Sequence, residues 1–172
     1  LTSYFASAYP NYDLLKNISV NGIHFDLVNT EDKDLNKILQ NFPKNKFFSA
    51  GLVNGRNIWK NNLLKSIQVI KKIKRKVSSD RLIISSSCSL LHSPVDLNKE
   101  ETIDPKIKDW LSFADQKLIE IVFLQRYFNS SLVNSSEYLL HNKTSIKKRE
   151  TSKLIHNKIV KKRIKSISSK ML

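Results

Sequence analysis

The sequence is short of several things, and each scarcity excludes something. One cysteine in 172 residues rules out an internal disulfide framework, and with it a small secreted scaffold held by cross-links. Three glycines leave no room for a glycine-rich phosphate loop. The longest apolar run, Leu118–Leu124, is interrupted by Glu120, whereas crossing a bilayer takes about 20 apolar residues, so no transmembrane helix is expected. The first residues, LTSYFASAYP, lack a basic stretch leading into an apolar one and do not read as a secretory signal. Acidic residues are sparse as well, 15 against 30 Lys and Arg, for a net charge of +15. No internal repeat is visible.

What remains suffices for about one domain, because 40% of the residues are hydrophobic and can form a core. The charge is unevenly spread. Residues 130–172 carry 11 Lys/Arg and 2 acids, and residues 1–129 carry 19 and 13. A tail this basic suits polyanions, so a nucleic-acid-binding module acting through residues 143–170 is one reading. The plainer reading is lysine at solvated positions. Few of the cations are Arg, the usual choice for base readout, and no nucleic-acid motif accompanies them. Neither a nucleic-acid nor a membrane partner is therefore expected.

Residues 1–128 alternate strand and helix signals. Leu1–Phe5 reads as the end of a strand. Gly22–Val28 places Ile23, Phe25 and Leu27 on one side and His24 and Asp26 on the other. Lys46–Val53 and Arg81–Ser87 are two further strands, bounded by Asn, Gly or Ser. Between them, Thr30 is the expected N-cap of a helix whose stripe is Leu35, Ile38, Leu39 and Phe42. A second helix shows Leu63, Ile67, Ile70, Ile73 and Val77 on one face. The longest helix is expected to start at Asp104-Pro105 and to bury Ile107, Leu111, Ala114, Leu118, Ile121 and Phe128. Beyond Asn129 the pattern weakens, with short helices expected at Ser135–His141 and Lys158–Ser168.

Strand–helix–strand units demand parallel pairing through right-handed crossovers. The expected fold is α/β: a partial (βα)8 barrel of about four βα units over residues 1–128, followed by a basic, partly helical linker over 129–172. A closed eight-stranded barrel takes about 250 residues. Four parallel strands alone leave open edges and apolar faces, so the chain by itself is expected to be poorly soluble or oligomeric.

In such a fold the chemistry sits where strands end. The strand-end candidates are Asp26, Asn54, Arg56, Asn57 and Cys88, with Tyr4, Phe5 and His92 nearby. Arg56, beside the turn-forming Gly55, either clamps a carboxylate or phosphate or pairs with a local Asp. His24, Asp26, Cys88 and His92 are all zinc-ligand types, but no second closely spaced pair accompanies them, and no metal site is expected. Cys88 as a nucleophile would need His24 or His92 as its base, and no spacing pairs them. The plainer reading is a small buried Cys at a strand end, with His92 hydrogen-bonded nearby. No catalytic residue is assigned within this chain.

LTSYF, GIHFDLV, GLVNGRNIWKNNL, SSSCSLLHSPVDL and DPKIKDWLSFADQKL, in that order, resemble the N-terminal domain of cobalamin-independent methionine synthase. KKRETSKLIHNKIVKKRIKSI looks like that family's basic interdomain segment. The resemblance implies a cytoplasmic, monomeric enzyme of two face-to-face (βα)8 barrels, active in methionine biosynthesis. It moves a methyl group from 5-methyltetrahydropteroyl-polyglutamate to homocysteine. Zinc, held by His, two Cys and Glu of the C-terminal barrel, binds the homocysteine sulfur as a thiolate. Residues 1–128 would then be the second half of the N-terminal barrel, and the zinc barrel would lie outside this chain. By analogy between the two barrels, Cys88 stands where the other copy has a zinc cysteine and Asp26 lies near the place of the Glu. LTSYF supplies neither member of the family's His-x-Cys pair, so Cys88 reads as a remnant of duplication. The chain alone is expected to lack activity and to bind no zinc.

Overall fold

A computed structural model describes residues 1–129 and 135–167. Four strands, β1 (Thr2–Ser3), β2 (Gly22–Asp26), β3 (Phe47–Val53) and β4 (Leu82–Ser86), form one sheet in the order β1-β2-β3-β4. All three pairings are parallel, with His24 opposite Ser49 and Ala50 opposite Ile84. Helices connect the strands: α1 (Tyr12–Leu15), α2 (Asp32–Gln40) and α3 (Leu63–Lys74). After β4 come α4 (Pro105–Lys108), α5 (Ala114–Phe128), α6 (Ser135–Thr151) and α7 (Lys158–Ser166). An open doubly wound sheet reverses its strand order partway. Here each strand lies beside the one before it in the chain, which is the arrangement of a barrel arc.

Strand alternation decides what each face of the sheet meets. Ile23 and Phe25 of β2 and Phe48, Ala50 and Leu52 of β3 turn to the helices, where they pack with Leu35, Ile38 and Leu39 of α2 and Leu63, Ile67, Ile70 and Ile73 of α3. Both apolar stripes expected from the sequence are thus buried. Phe25 and Phe48 are fully buried with ring centroids 4.8 Å apart, and Phe42 packs edge-on to both. The opposite face holds Thr2, His24, Ser49 and Ser85, and its apolar members stay open: Phe47 is 43% exposed and Ile83 48%. Parallel sheets are ordinarily covered on both faces. This one is covered on one face by the described residues.

Gly51 permits the close approach of strands within this sheet. A Cβ there would stand 2.8 Å from both the Phe25 carbonyl oxygen and Ser87 Cα, and 2.9 Å from His24 Cε1.

Four local expectations are corrected. Thr30 does not cap α2; its hydroxyl is committed to the Asp26 carbonyl at 2.6 Å, and Glu31 takes the cap position without a side-chain bond. The single helix expected from Asp104 is two. Asp104 does cap α4 through Lys106 N–H, but residues 109–113 leave the helix to pair with the β3–α3 loop. Lys60 N–H donates to Trp110 O, and Ser112 N–H to Ile58 O. Ile107 and Leu111 accordingly pack in a separate small cluster with Leu97 and Phe113. Leu118 is exposed, because the buried face of α5 is Lys117, Glu120, Phe123 and Leu124. Finally, α6 runs on to Thr151, since Asn142, Ser145 and Ile146 dock on the body and extend the helix beyond its weak sequence pattern. The expected end of the last helix at Ser168 lies outside the described residues.

Candidate functional site

All strands point the same way, so their C-terminal ends share one rim, and the sequence-predicted residues gather along it. At β1, Phe5 adopts φ 74°, a left-handed conformation that costs a residue with a Cβ about 1–2 kcal/mol. Asp26 helps hold it there. The buried Asp26 carboxylate accepts Phe5 N–H at 2.9 Å on Oδ2 and Val28 and Asn29 N–H at 3.0 and 3.1 Å on Oδ1. The Asn29 side-chain amide adds a fourth bond at 2.7 Å. Every bond is local to the rim, so Asp26 ties the end of β1 to the β2–α2 turn.

The Arg56 guanidinium lies over the Phe5 ring, 4.4 Å from its centroid, and makes no ion pair among the described residues. Arg56 does not pair with a local Asp; it stacks on an aromatic ring, a contact sequence reasoning had no spacing to find. His92 is exposed rather than hydrogen-bonded beside Cys88; its ring sits 6.0 Å from Phe5, edge-on. Tyr4, Phe5, Arg56 and His92 thus form a surface cluster of three rings and one cation.

Asn54 and Asn57 shape the loop itself. Asn54 Oδ1 accepts Arg56 N–H at 2.8 Å, and Asn57 Oδ1 accepts Trp59 N–H at 3.1 Å, each bridging two residues on as Asx turns do. Gly55 is required where the loop passes β4, because a Cβ would fall 2.8 Å from Cys88 O and 2.9 Å from Cys88 Sγ. Cys88 is buried under this crossing, its thiol directed at Ser89 O at 3.6 Å.

Two charged residues outside the expected apolar stripe hold the loop from below. Lys117 is fully buried, and its ammonium donates to Trp59 O at 3.0 Å and reaches Asn57 Oδ1 at 3.5 Å. Glu120, one turn along, accepts Asn61 N–H at 3.0 Å. Burial pushes the Lys117 ammonium below the ordinary lysine range, and burial pushes the Glu120 carboxyl above the ordinary glutamate range. From the other side, Asn142 of α6 accepts Leu63 N–H and donates to Asn61 O, closing the start of α3.

The donor set does not suit zinc. His24 is held between Ser49 Oγ at 2.9 Å and Ser87 O at 3.2 Å. Because Ser87 O only accepts, Nε2 carries the proton and Nδ1 accepts from the Ser49 hydroxyl. Asp26 is saturated by amides, Cys88 is covered by Gly55, and His92 lies out on the surface. Among the described residues no three His, Cys, Asp or Glu side chains gather where a metal ion would sit. No helix among them is long and apolar enough to cross a membrane.

The chain is similar to known proteins over its whole length. Residues 1–78 match the family described as the cobalamin-independent synthase, N-terminal domain. The chain is 38% identical over 187 residues to the 5-methyltetrahydropteroyltriglutamate–homocysteine methyltransferase of Dictyostelium discoideum, a match covering 100% of this chain and 23% of that protein. The protein of the same name from Saccharomyces cerevisiae is 39% identical over 171 residues, covering 99% and 22%. That from Coxiella burnetii is 37% identical over 172 residues, covering 100% and 22%. The chain therefore spans less than a quarter of the length of these curated relatives. Parallel strand order and identity along the whole sequence agree, and over the residues it spans the chain is similar to the cobalamin-independent methionine synthases.

Proposed function

We propose that this chain contributes to the transfer of a methyl group from 5-methyltetrahydropteroyl-polyglutamate to homocysteine, as part of an enzyme whose zinc-bearing barrel lies outside it. Residues 1–128 would form half of an N-terminal (βα)8 barrel, and 129–172 the start of the connection to the second barrel. The observation that carries this reading is the 37–39% identity, sustained over the whole chain, to proteins named for that reaction. The uncovered sheet face supports the half-barrel part, since Phe47 and Ile83 stand where further strands would pack.

The rim residues perform no chemical step in this reading. Asp26, Asn54 and Asn57 spend their side chains on backbone N–H groups, and Cys88 is enclosed, so they fix the shape of the rim. Arg56, stacked on Phe5, presents a cationic surface beside it. Zinc, when bound in a barrel outside this chain, would supply Lewis acidity toward the homocysteine sulfur; among the described residues no cluster is arranged to hold it. Residues 1–172, supplied with 5-methyltetrahydropteroyltriglutamate, homocysteine and zinc, should form no methionine and retain no stoichiometric zinc after dialysis. Methionine formation by this chain alone, or one tightly held zinc per chain, would overturn the division of labour.

A further inference from the structure

Above α3 lies a cavity of about 240 Å³ that the methyl-transfer reading does not use. Its floor is Leu52 and Val69, and its polar wall is built from the β3–α3 loop and the last turns of α6. Three cations line it: Lys60, Lys65 and Arg149, with the amides of Asn57, Asn61 and Asn62 between them. No Asp or Glu is among the lining residues. Lys60 is already neutralised, because Asp109 stands 3.2 Å from its ammonium. Lys65 and Arg149 are not: neither has an ion-pair partner among the described residues.

Arg149 is held in place before any ligand arrives. Its guanidinium lies 5.2 Å from the centroid of the Trp59 ring, so the planar fork is oriented by the aromatic face. One of its nitrogens, Nη1, is buried with no hydrogen-bond partner. A buried guanidinium N–H left unpaired costs the full desolvation of a charged donor. An incoming oxyanion would remove that cost. Two uncompensated positive charges call for a dianion, and a cavity below the roughly 300–1,000 Å³ of ordinary ligand pockets calls for a compact one.

We propose that this cavity binds a small phosphate-class dianion, inorganic phosphate or the head of a phosphate monoester, between Arg149 and Lys65. The site adjoins the strand-end rim, sharing Asn54 and Asn57 with it, and its occupancy does not depend on methyl transfer. It also gives the basic stretch of the sequence a discrete role, since Arg149 comes from that stretch.

The test is calorimetric titration of the 172-residue chain with inorganic phosphate, glycerol 3-phosphate and succinate at fixed ionic strength, repeated on Lys65→Gln and Arg149→Gln. Saturable phosphate binding is expected, weakened about tenfold or more by either substitution, as for loss of a charge-assisted bond, with succinate clearly weaker. Circular dichroism identifies any variant that fails to fold. Lys65 sits on the exposed side of α3, so Lys65→Gln keeps the test alive if Arg149→Gln unfolds. Absence of saturable binding, binding indifferent to Lys65→Gln, or succinate binding as tightly as phosphate would each overturn the proposal. So would an RNA oligonucleotide that binds more tightly than phosphate and is unaffected by these two substitutions.

Discussion

The two faces of the sheet draw on the same strands and have opposite fates. Phe48 and Phe47 are adjacent and chemically identical, yet Phe48 is fully buried against Phe25 while Phe47 is 43% exposed. Residues Ile84 and Ile83 on β4 show the same split, with Ile84 packed against the core and Ile83 nearly half exposed. Composition cannot make that distinction; the period-two alternation of a strand combined with helices on one side makes it. Apolar character on a strand therefore reports two different things: a core already complete, and a face awaiting cover.

Mutations can break that contrast, beginning with its strongest side. Phe48→Ala removes a ring at the centre of the helix-side core and should cost about 3–5 kcal/mol, a large share of the roughly 5–15 kcal/mol that holds an ordinary domain folded. Urea melts check this, and a loss below about 1 kcal/mol would mean that the core is loosely packed around this ring.

The helix side is not wholly apolar, and Glu120 tests how dry it is. Burial raises its folded-state pKa above the unfolded value. Between those values the folded chain keeps a proton that the unfolded chain has released, so this group's contribution to stability falls as pH rises from the ordinary glutamate range. Glu120→Gln keeps an acceptor for Asn61 N–H and abolishes the titration. The variant should gain on the parent as pH rises above the ordinary glutamate range of about pH 4, measured as the difference between paired melts. Parallel stabilities over that range would show the carboxyl to be solvated.

The smallest effect is expected on the open face. Ile83→Ser should change stability by no more than about 0.5 kcal/mol, while reducing self-association measured by sedimentation. A large destabilisation would show that this face is covered within the chain itself.

Most of the architecture was legible because hydrophobic periodicity is strong there. β2, β3 and β4 fall within the runs Gly22–Val28, Lys46–Val53 and Arg81–Ser87, and α2 and α3 bury the stripes their spacing marks. The break between α4 and α5 was not legible, because it is imposed by pairing with residues 58–60, distant in sequence. The rim was half legible. Strand ends located Asp26, Asn54, Asn57 and Cys88, but Lys117 and Glu120 fall outside the expected apolar stripe, and charged residues are almost never buried unless paired. Their burial follows from two partners, Trp59 O and Asn61 N–H, on a loop about 60 residues upstream. Arg56 on Phe5 and Arg149 on Trp59 were equally hidden, because stacking leaves no mark in local spacing.

The consecutive order of the strands also bears on how the chain comes to be folded. Each strand pairs with the one synthesised just before it, so no segment must wait for a distant partner before its backbone hydrogen bonds can form. Such a sheet can assemble vectorially during translation, each emerging βα unit laid against a template already made.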